Sequence, residues 1–85
     1  MDDGPRERQF TVAARNGALV RAGAELSTPE LVTLPKGTRV FVVQGETTTL
    51  ANGAVRFRLR GFQKLGVDEE HELDGWCSAK VLAGL

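Results

Sequence analysis

Few residues of this chain have side chains that could carry out catalysis. It contains one cysteine, Cys77, and one histidine, His71. A cysteine and a histidine in contact can form a nucleophile, but Cys77 follows Trp76 in a short apolar stretch, and a free cysteine is among the most buried residue types. One cysteine and one histidine also cannot complete a tetrahedral metal site. We therefore expect a buried thiol and a chain that is not an enzyme, with no catalytic site, no metal site and no cofactor.

The densest run of charge in the chain is acidic and consists of Asp68, Glu69, Glu70 and Glu72. Carboxylates grouped in this way can hold a hard cation weakly. A run of like charges is more typical of a solvated loop that keeps a domain in solution. We interpret this segment as such a loop.

Segment 55–60 alternates apolar side chains with arginines. The apolar residues are Val55, Phe57 and Leu59, and the arginines are Arg56, Arg58 and Arg60. A period of two is typical of a strand with one buried face, so the arginines are predicted to form a solvent-facing row with a spacing of roughly 6.8 Å. Like charges this close need partners. Glu46 and the acidic loop could pair with them inside the domain, or the row could bind an acidic peptide or a phosphate-bearing partner.

Trp76, Arg39 and Phe41 join the three arginines as predicted partner-binding residues. Nucleic-acid binding is disfavoured, since 11 basic and 11 acidic residues leave no net charge, and it would require the arginines to share a face with Phe41 or Phe62. A proline-rich ligand is disfavoured too, because the grooves that bind it are lined by tyrosine and tryptophan, and this chain has no tyrosine and one tryptophan. The expected partner is a protein or peptide, acidic if it binds the arginines.

The segments that must position these residues are predicted to be short β-strands within one domain of 85 residues. A disordered leader is expected at 1–8 and the barrel at 9–85. Alternation and β-branched residues predict strands at 9–14, 18–21, 31–34, 38–44 (with an extension to 49), 54–60 and 81–82. Turns are predicted at Asn16-Gly17, Asn52-Gly53 and Asp74-Gly75, a longer excursion at 61–74 and one helical turn at 78–80. Thr28 and Pro29 could alternatively begin a short helix that Pro35 would end.

Short strands joined by turns favour an all-β fold, namely a small five-stranded barrel with a short 3-10 turn before its last strand. Closing the sheet on itself removes its unpaired edges. Any edge left open near Thr47–Thr49 or Val32–Thr33 could accept a strand from a partner. The predicted core consists of Phe10, Val12, Leu19, Leu31, Leu34, Val40, Val42, Val55, Phe57, Leu59, Trp76, Val81 and Leu82.

Four pieces of this sequence, in order, resemble a bacterial-type Src-homology-3 domain. They are Asn16-Gly17-Ala18-Leu19-Val20-Arg21-Ala22-Gly23, Leu34-Pro35-Lys36-Gly37-Thr38-Arg39-Val40-Phe41-Val42, Val55-Arg56-Phe57-Arg58-Leu59 and Gly75-Trp76-Cys77-Ser78. The resemblance covers 10–82 and implies a Src-homology-3-like barrel, with Gly75 allowing close strand approach and Trp76 helping to plug the barrel. Two departures from the family pattern are the long insertion between Arg60 and Asp74 and the cysteine at 77, where valine is usual.

The leading functional hypothesis is a non-catalytic interaction module, one unit of a larger protein or assembly. It would present the arginine row, the loop from Ala22 to Lys36 and Trp76 to its partner. The resemblance also implies an alternative, a cell-wall or polysaccharide-targeting domain, and a nucleic-acid-binding barrel is a third. A single cysteine and the lack of a signal-like N-terminus favour a cytoplasmic location, and no apolar run approaches the ~20 residues that cross a bilayer.

Overall fold

The computed structural model describes residues 7–84, which form seven strands and one turn of 3-10 helix. The strands are β1 (Glu7–Val12), β2 (Ala18–Arg21), β3 (Glu30–Leu34), β4 (Arg39–Thr49), β5 (Val55–Gln63), β6 (Glu70–Ser78) and β7 (Leu82–Gly84), and the 3-10 turn spans Ala79–Val81. No helix in this part of the chain has the length and apolar character needed to span a bilayer.

All seven strands belong to one antiparallel sheet in the order β3-β2-β6-β5-β4-β1-β7. The sheet curls into a half-barrel. Its sharpest irregularity lies between the pairs Val42–Leu59 and Thr47–Phe57, where β4 advances five residues while β5 advances two. Extra residues on one strand of a pair bend that strand and increase its twist. The long strands β4 and β5 therefore carry the sheet around its bend.

The predicted all-β class and the 3-10 turn before the last strand are confirmed, but the predicted five strands are seven. The main error is the excursion predicted at 61–74. In the structure β5 continues to Gln63, β6 begins at Glu70, and the two pair as a hairpin whose connection is only 64–69. The polar residues of this segment were interpreted as a loop, although one face of a sheet accepts polar side chains readily.

Gly75 does not form the predicted turn with Asp74. It lies inside β6 opposite Leu59, and a Cβ atom placed on it would lie 2.5 Å from Val20 Cγ1 and 3.0 Å from the carbonyl oxygen of Arg21. The prediction that Gly75 permits close approach of a neighbouring strand is thus confirmed, while the turn prediction is wrong. Glycine in a strand often marks such an approach.

The core lies between the curled strands and consists of Phe10, Val12, Ala18, Val20, Leu34, Val40, Val42, Leu59 and Cys77, with Phe57, Phe62, Leu73, Val81 and Leu82 packed against it. Ala18 and Val20 face this core, so Leu19 points to the other side of β2. By the same alternation Cys77 faces the core and Trp76 does not. Leu31 and Val55, which were also predicted in the core, are exposed.

Two further predictions concern the leader at 1–8 and the segment before β3. Strand β1 begins at Glu7, so the prediction of a leader at 1–8 is wrong for its last two residues, and 1–6 lie outside the described residues. The short helix considered after Thr28 is not formed, because the segment 22–29 is a series of turns and bends that leads directly into β3.

Candidate functional site

The three arginines of β5 share one face of that strand, opposite the face that carries Leu59 into the core. Their surroundings differ sharply. Arg56 is only 3% exposed, whereas the side chains of Arg58 and Arg60 are 39% and 43% exposed. The prediction of a uniformly solvated row is therefore wrong at Arg56.

Arg56 is buried because the loop 22–29, which connects β2 to β3, lies over it. Its Nε atom donates to the carbonyl oxygen of Ala24 at 3.0 Å, Nη1 donates to Ser78 Oγ at 2.8 Å, and Nη2 donates to the carbonyl oxygen of Trp76 at 3.4 Å. None of the carboxylates within 7–84 forms an ion pair with it. Burial, together with the charge of Arg21, lowers the pKa of Arg56, although the Coulombic effect of Cys77 acts in the opposite direction. Arg56 is thus a buried cation held by neutral oxygens.

The loop 22–29 is also held from within. Thr28 Oγ1 contacts the carbonyl oxygens of Gly23 and Glu25 at 3.1 and 2.6 Å, and the amide of Gly23 donates to Thr28 Oγ1 at 3.1 Å. Arg21 Nη1 donates to the carbonyl oxygen of Thr28 at 2.9 Å, and Arg21 Nη2 lies 3.5 Å from Glu30 Oε2. Two arginines, one at each side, therefore fix the path of this loop.

Replacing Arg56 by lysine is expected to loosen the loop. A lysine ammonium has no planar fork that could reach the three acceptors together, so the loop should open more often. Two amides report this opening, those of Ala22 and Thr28, which donate within the loop to Pro29 and Glu25. Their hydrogen exchange should accelerate about tenfold. Arg58→Lys, on the same face of the same strand, is the control and should leave both rates unchanged. Equal rates in the two variants would contradict the role given to Arg56.

Arg58 lies in a bidentate ion pair with Asp74, whose Oδ1 and Oδ2 atoms accept from Nε at 3.1 Å and from Nη2 at 3.2 Å. Its Nη1 atom lies 3.4 Å from Glu46 Oε1. The hydrogen bonds and charge of Asp74, followed by those of Glu46, raise the pKa of Arg58. Pairing with Glu46 within the domain was one of the two alternatives that the sequence left open, and it is formed.

Arg60 is held in a comparable way. Its Nη2 atom lies 3.5 Å from Glu70 Oε1, so the acidic run supplies a partner as expected. Its guanidinium carbon lies 5.6 Å from the centre of the Phe41 ring. Phe41 itself is buried. It therefore supports Arg60 from below and cannot serve as the exposed partner contact that was predicted.

The remaining predicted residues lie apart from one another. Trp76 is half-buried and lies opposite Arg58 across the β5–β6 ladder. It is on the outer face of the sheet, so it does not plug the core. Arg39 is exposed at the start of β4 and borders a depression of about 250 Å³ with Lys64 and Asp68. The structure thus divides the predicted set among separate surfaces.

Arg58 and Arg60 border a depression of about 630 Å³, which is also lined by Val43, Glu46, Glu72, Leu73 and Asp74. Its charges are mixed, with two guanidinium groups and three carboxylates. Exposed ion pairs of this kind contribute little to stability. The depression is a polar groove in which the arginines already have acidic partners.

Cys77 and His71 do not form a catalytic pair. Both lie on β6, and six residues of strand correspond to roughly 20 Å. Cys77 is completely buried, and burial raises the pKa of its thiol to about 11, so it is protonated at neutral pH. The His71 ring is stacked on Phe62 with a centroid distance of 5.1 Å. Within 7–84, no three side chains from His, Cys, Asp and Glu lie together as a possible metal site.

Sequence reasoning missed Arg21 and Ser78, the two polar residues that flank Arg56. The sequence did contain a signal for Ser78, because residues two apart in a strand share a face and Ser78 is two residues beyond Trp76. In the structure Ser78 lies opposite Arg56, and Trp76 lies opposite Arg58. Arg21 carried a weaker signal, its position at the start of a loop.

No model of a known protein family matches this chain, and comparisons with curated proteins and with solved structures found no match either. The resemblance to bacterial-type Src-homology-3 domains therefore stays a prediction.

Proposed function

We propose that this chain is a non-catalytic interaction module with a Src-homology-3-like barrel, and that it binds an extended segment of a partner protein along the free edge of β3. The observation that carries the proposal is that one edge of β3 is unpaired and its residues are exposed. β3 is the end strand of the sheet and pairs only with β2 among the described strands. Its first four residues are exposed.

Two of the four exposed residues of β3 have large apolar side chains. Leu31 is 47% and Val32 is 38% exposed, and Leu26, shortly before them in the chain, is 47% exposed. Of the six large apolar side chains that are exposed in the described part of the chain, three therefore fall within seven consecutive residues. An unpaired strand with exposed apolar side chains is a template for another strand, and strand addition combines main-chain hydrogen bonds with side-chain contacts.

The other functions considered receive less support from the geometry. The protonated thiol of Cys77 and its distance from His71 supply no nucleophile. For nucleic-acid binding, the two exposed arginines of β5 are already paired with carboxylates. These carboxylates offset positive charge that would otherwise attract a phosphate backbone. The outer edge of β3, by contrast, pairs with no other strand within the described chain, so a partner segment would displace nothing there.

Selection of extended peptides from a displayed random library tests the proposal. We expect enriched peptides rich in β-branched and aromatic residues, because these favour a pleated strand. Leu31→Asp should weaken their binding about tenfold, since a carboxylate would be desolvated at the contact. Amide exchange within β3 should slow when such a peptide is bound.

Val55→Asp is the matched control, since Val55 is also an exposed apolar residue on a strand. It should leave peptide affinity unchanged. The proposal fails if no peptide is enriched, or if the enriched peptides bind the Leu31→Asp variant and the wild-type protein equally well.

A further inference from the structure

A second depression, on the outer face of the sheet, combines two guanidinium groups with an apolar wall. It measures about 210 Å³, and its lining residues are Gly17, Leu19, Arg21, Leu26, Arg56, Ser78 and Val81. Pockets for drug-sized ligands are larger, at roughly 300–1,000 Å³. This one has room for a short side chain or a small molecule.

Arg56 has bonding capacity left for a ligand. A guanidinium group has five N–H donors, and three neutral oxygens accept from it here. Two N–H groups therefore have no acceptor within the described chain. Cys77 supplies no counter-charge, because its buried thiol is protonated. A buried charge with no opposite charge beside it is costly, and a bound anion would remove that cost.

The hydroxyl group of Ser78 is a second hydrogen-bond donor next to Arg56. Its Oγ atom accepts a hydrogen bond from Arg56 Nη1. A hydroxyl has one O–H donor in addition to its lone pairs, and within 7–84 the hydroxyl of Ser78 accepts this bond but donates none. The Ser78 hydroxyl and the Arg56 guanidinium can therefore both donate to the same oxygen-bearing group.

The net charge of the side chains around this depression is suited to a ligand with a single negative charge. Arg21 and Arg56 contribute two positive charges, and Glu30, which lies 3.5 Å from Arg21 Nη2, offsets one of them. A single carboxylate balances the remainder. A doubly charged phosphate would leave excess negative charge close to Glu30.

We propose that this depression binds one carboxylate between Arg56, Arg21 and Ser78, with the attached aliphatic group packed on Leu19, Leu26 and Val81. Planar carboxylates match the fork of a guanidinium group. Such a carboxylate belongs either to a small aliphatic acid or to the last residue of a peptide chain. The site lies next to the β3 edge and shares Leu26 with the apolar run described there, but it does not require a strand to be added to that edge.

Titration with isovalerate, followed by amide and arginine Nε–H signals in NMR spectra, tests the proposal. Signals of 17–21, Arg56 and Ser78 should shift and saturate with a dissociation constant on the order of millimolar. Isovaleramide has the same shape without the charge and should bind about tenfold more weakly or not at all. Inorganic phosphate should also bind more weakly than isovalerate.

Leu26→Asp is the decisive variant. Leu26 is exposed, so the change should not affect folding, and the new carboxylate at the rim should compete with isovalerate and weaken its binding about tenfold. Leu65→Asp, at an 80% exposed position in the β5–β6 connection, is the control and should not alter binding.

A peptide that ends in valine, tested with a free C-terminal carboxylate and as its C-terminal amide, identifies the source of the carboxylate. Tighter binding of the free peptide than of isovalerate indicates a chain terminus, and the reverse indicates a small acid.

Three results would overturn the proposal: equal shifts with isovalerate and isovaleramide, isovalerate binding that Leu26→Asp leaves unchanged, or the absence of saturable shifts with either carboxylate.

Discussion

Replacing Gly17 by alanine is expected to lower the free energy of unfolding by about 3 kcal/mol. Gly17 has a φ of +87° in the turn between β1 and β2, and a left-handed backbone costs roughly 1–2 kcal/mol for a residue with a Cβ atom. The added Cβ would also collide with the carbonyl oxygen of Leu34. Backbone must shift to relieve that collision, and overpacking of this kind typically costs about 1–3 kcal/mol.

Gly53 provides an internal control for this prediction. It also follows an asparagine in a turn, has a φ of +89°, and has nothing within 4 Å of the position that a Cβ would take. Gly53→Ala should therefore lower the free energy of unfolding by only about 1 kcal/mol, which is the contribution of the left-handed backbone alone. Urea unfolding of both variants separates the two effects. Equal losses would show that the contact with Leu34 is relieved without cost.

Alkaline pH is expected to destabilise the protein through Cys77. Burial raises the pKa of this thiol from 9.0 to about 11, so between these values the folded chain retains a proton that the unfolded chain has lost. Stability is then fully present below pH 9 and falls as the pH rises. By pH 11 the loss should reach about 2 kcal/mol, since each tenfold difference in proton affinity corresponds to about 1.4 kcal/mol.

Cys77→Val removes the titrating group and fills the site with a side chain of similar size. All other residues are the same in both proteins, so the comparison isolates the thiol. Denaturant unfolding between pH 8 and about pH 11 should show a steeper decline for the wild-type protein than for the variant. Parallel declines would mean that the thiol is accessible to hydroxide or solvent in the folded state.

Much of the strand content could be predicted from the sequence, because alternation reports directly on which side chains share a face. Segment 55–60 is an example, since Phe57 and Leu59 face the core and the arginines do not. The strands around Gly75 could not be predicted in this way. A glycine after an aspartate indicates a turn when only neighbours in sequence are considered, and the close approach of Val20 and Arg21 that this glycine permits arises only from the folded sheet.

The candidate site was predicted less well, for a related reason. Alternation assigns a side chain to one face of a sheet but does not say what covers that face. Arg58 and Arg60 are exposed, whereas Arg56 is covered by a loop that contacts it through Ala24, 32 positions earlier in the chain. Arg21 became relevant only because that loop begins beside it. Long-range contacts of this kind have no local sequence signal.

The hydrogen bonds of Arg56 have a consequence for how freely this sequence can change over evolution. Two of its three acceptors are peptide oxygens, those of Ala24 and Trp76, which every amino acid supplies. Substitutions at 24 therefore preserve the anchoring of the loop, while substitutions at 56 remove it. Relatives of this chain are accordingly expected to vary in loop composition and length more readily than at the single arginine beneath the loop.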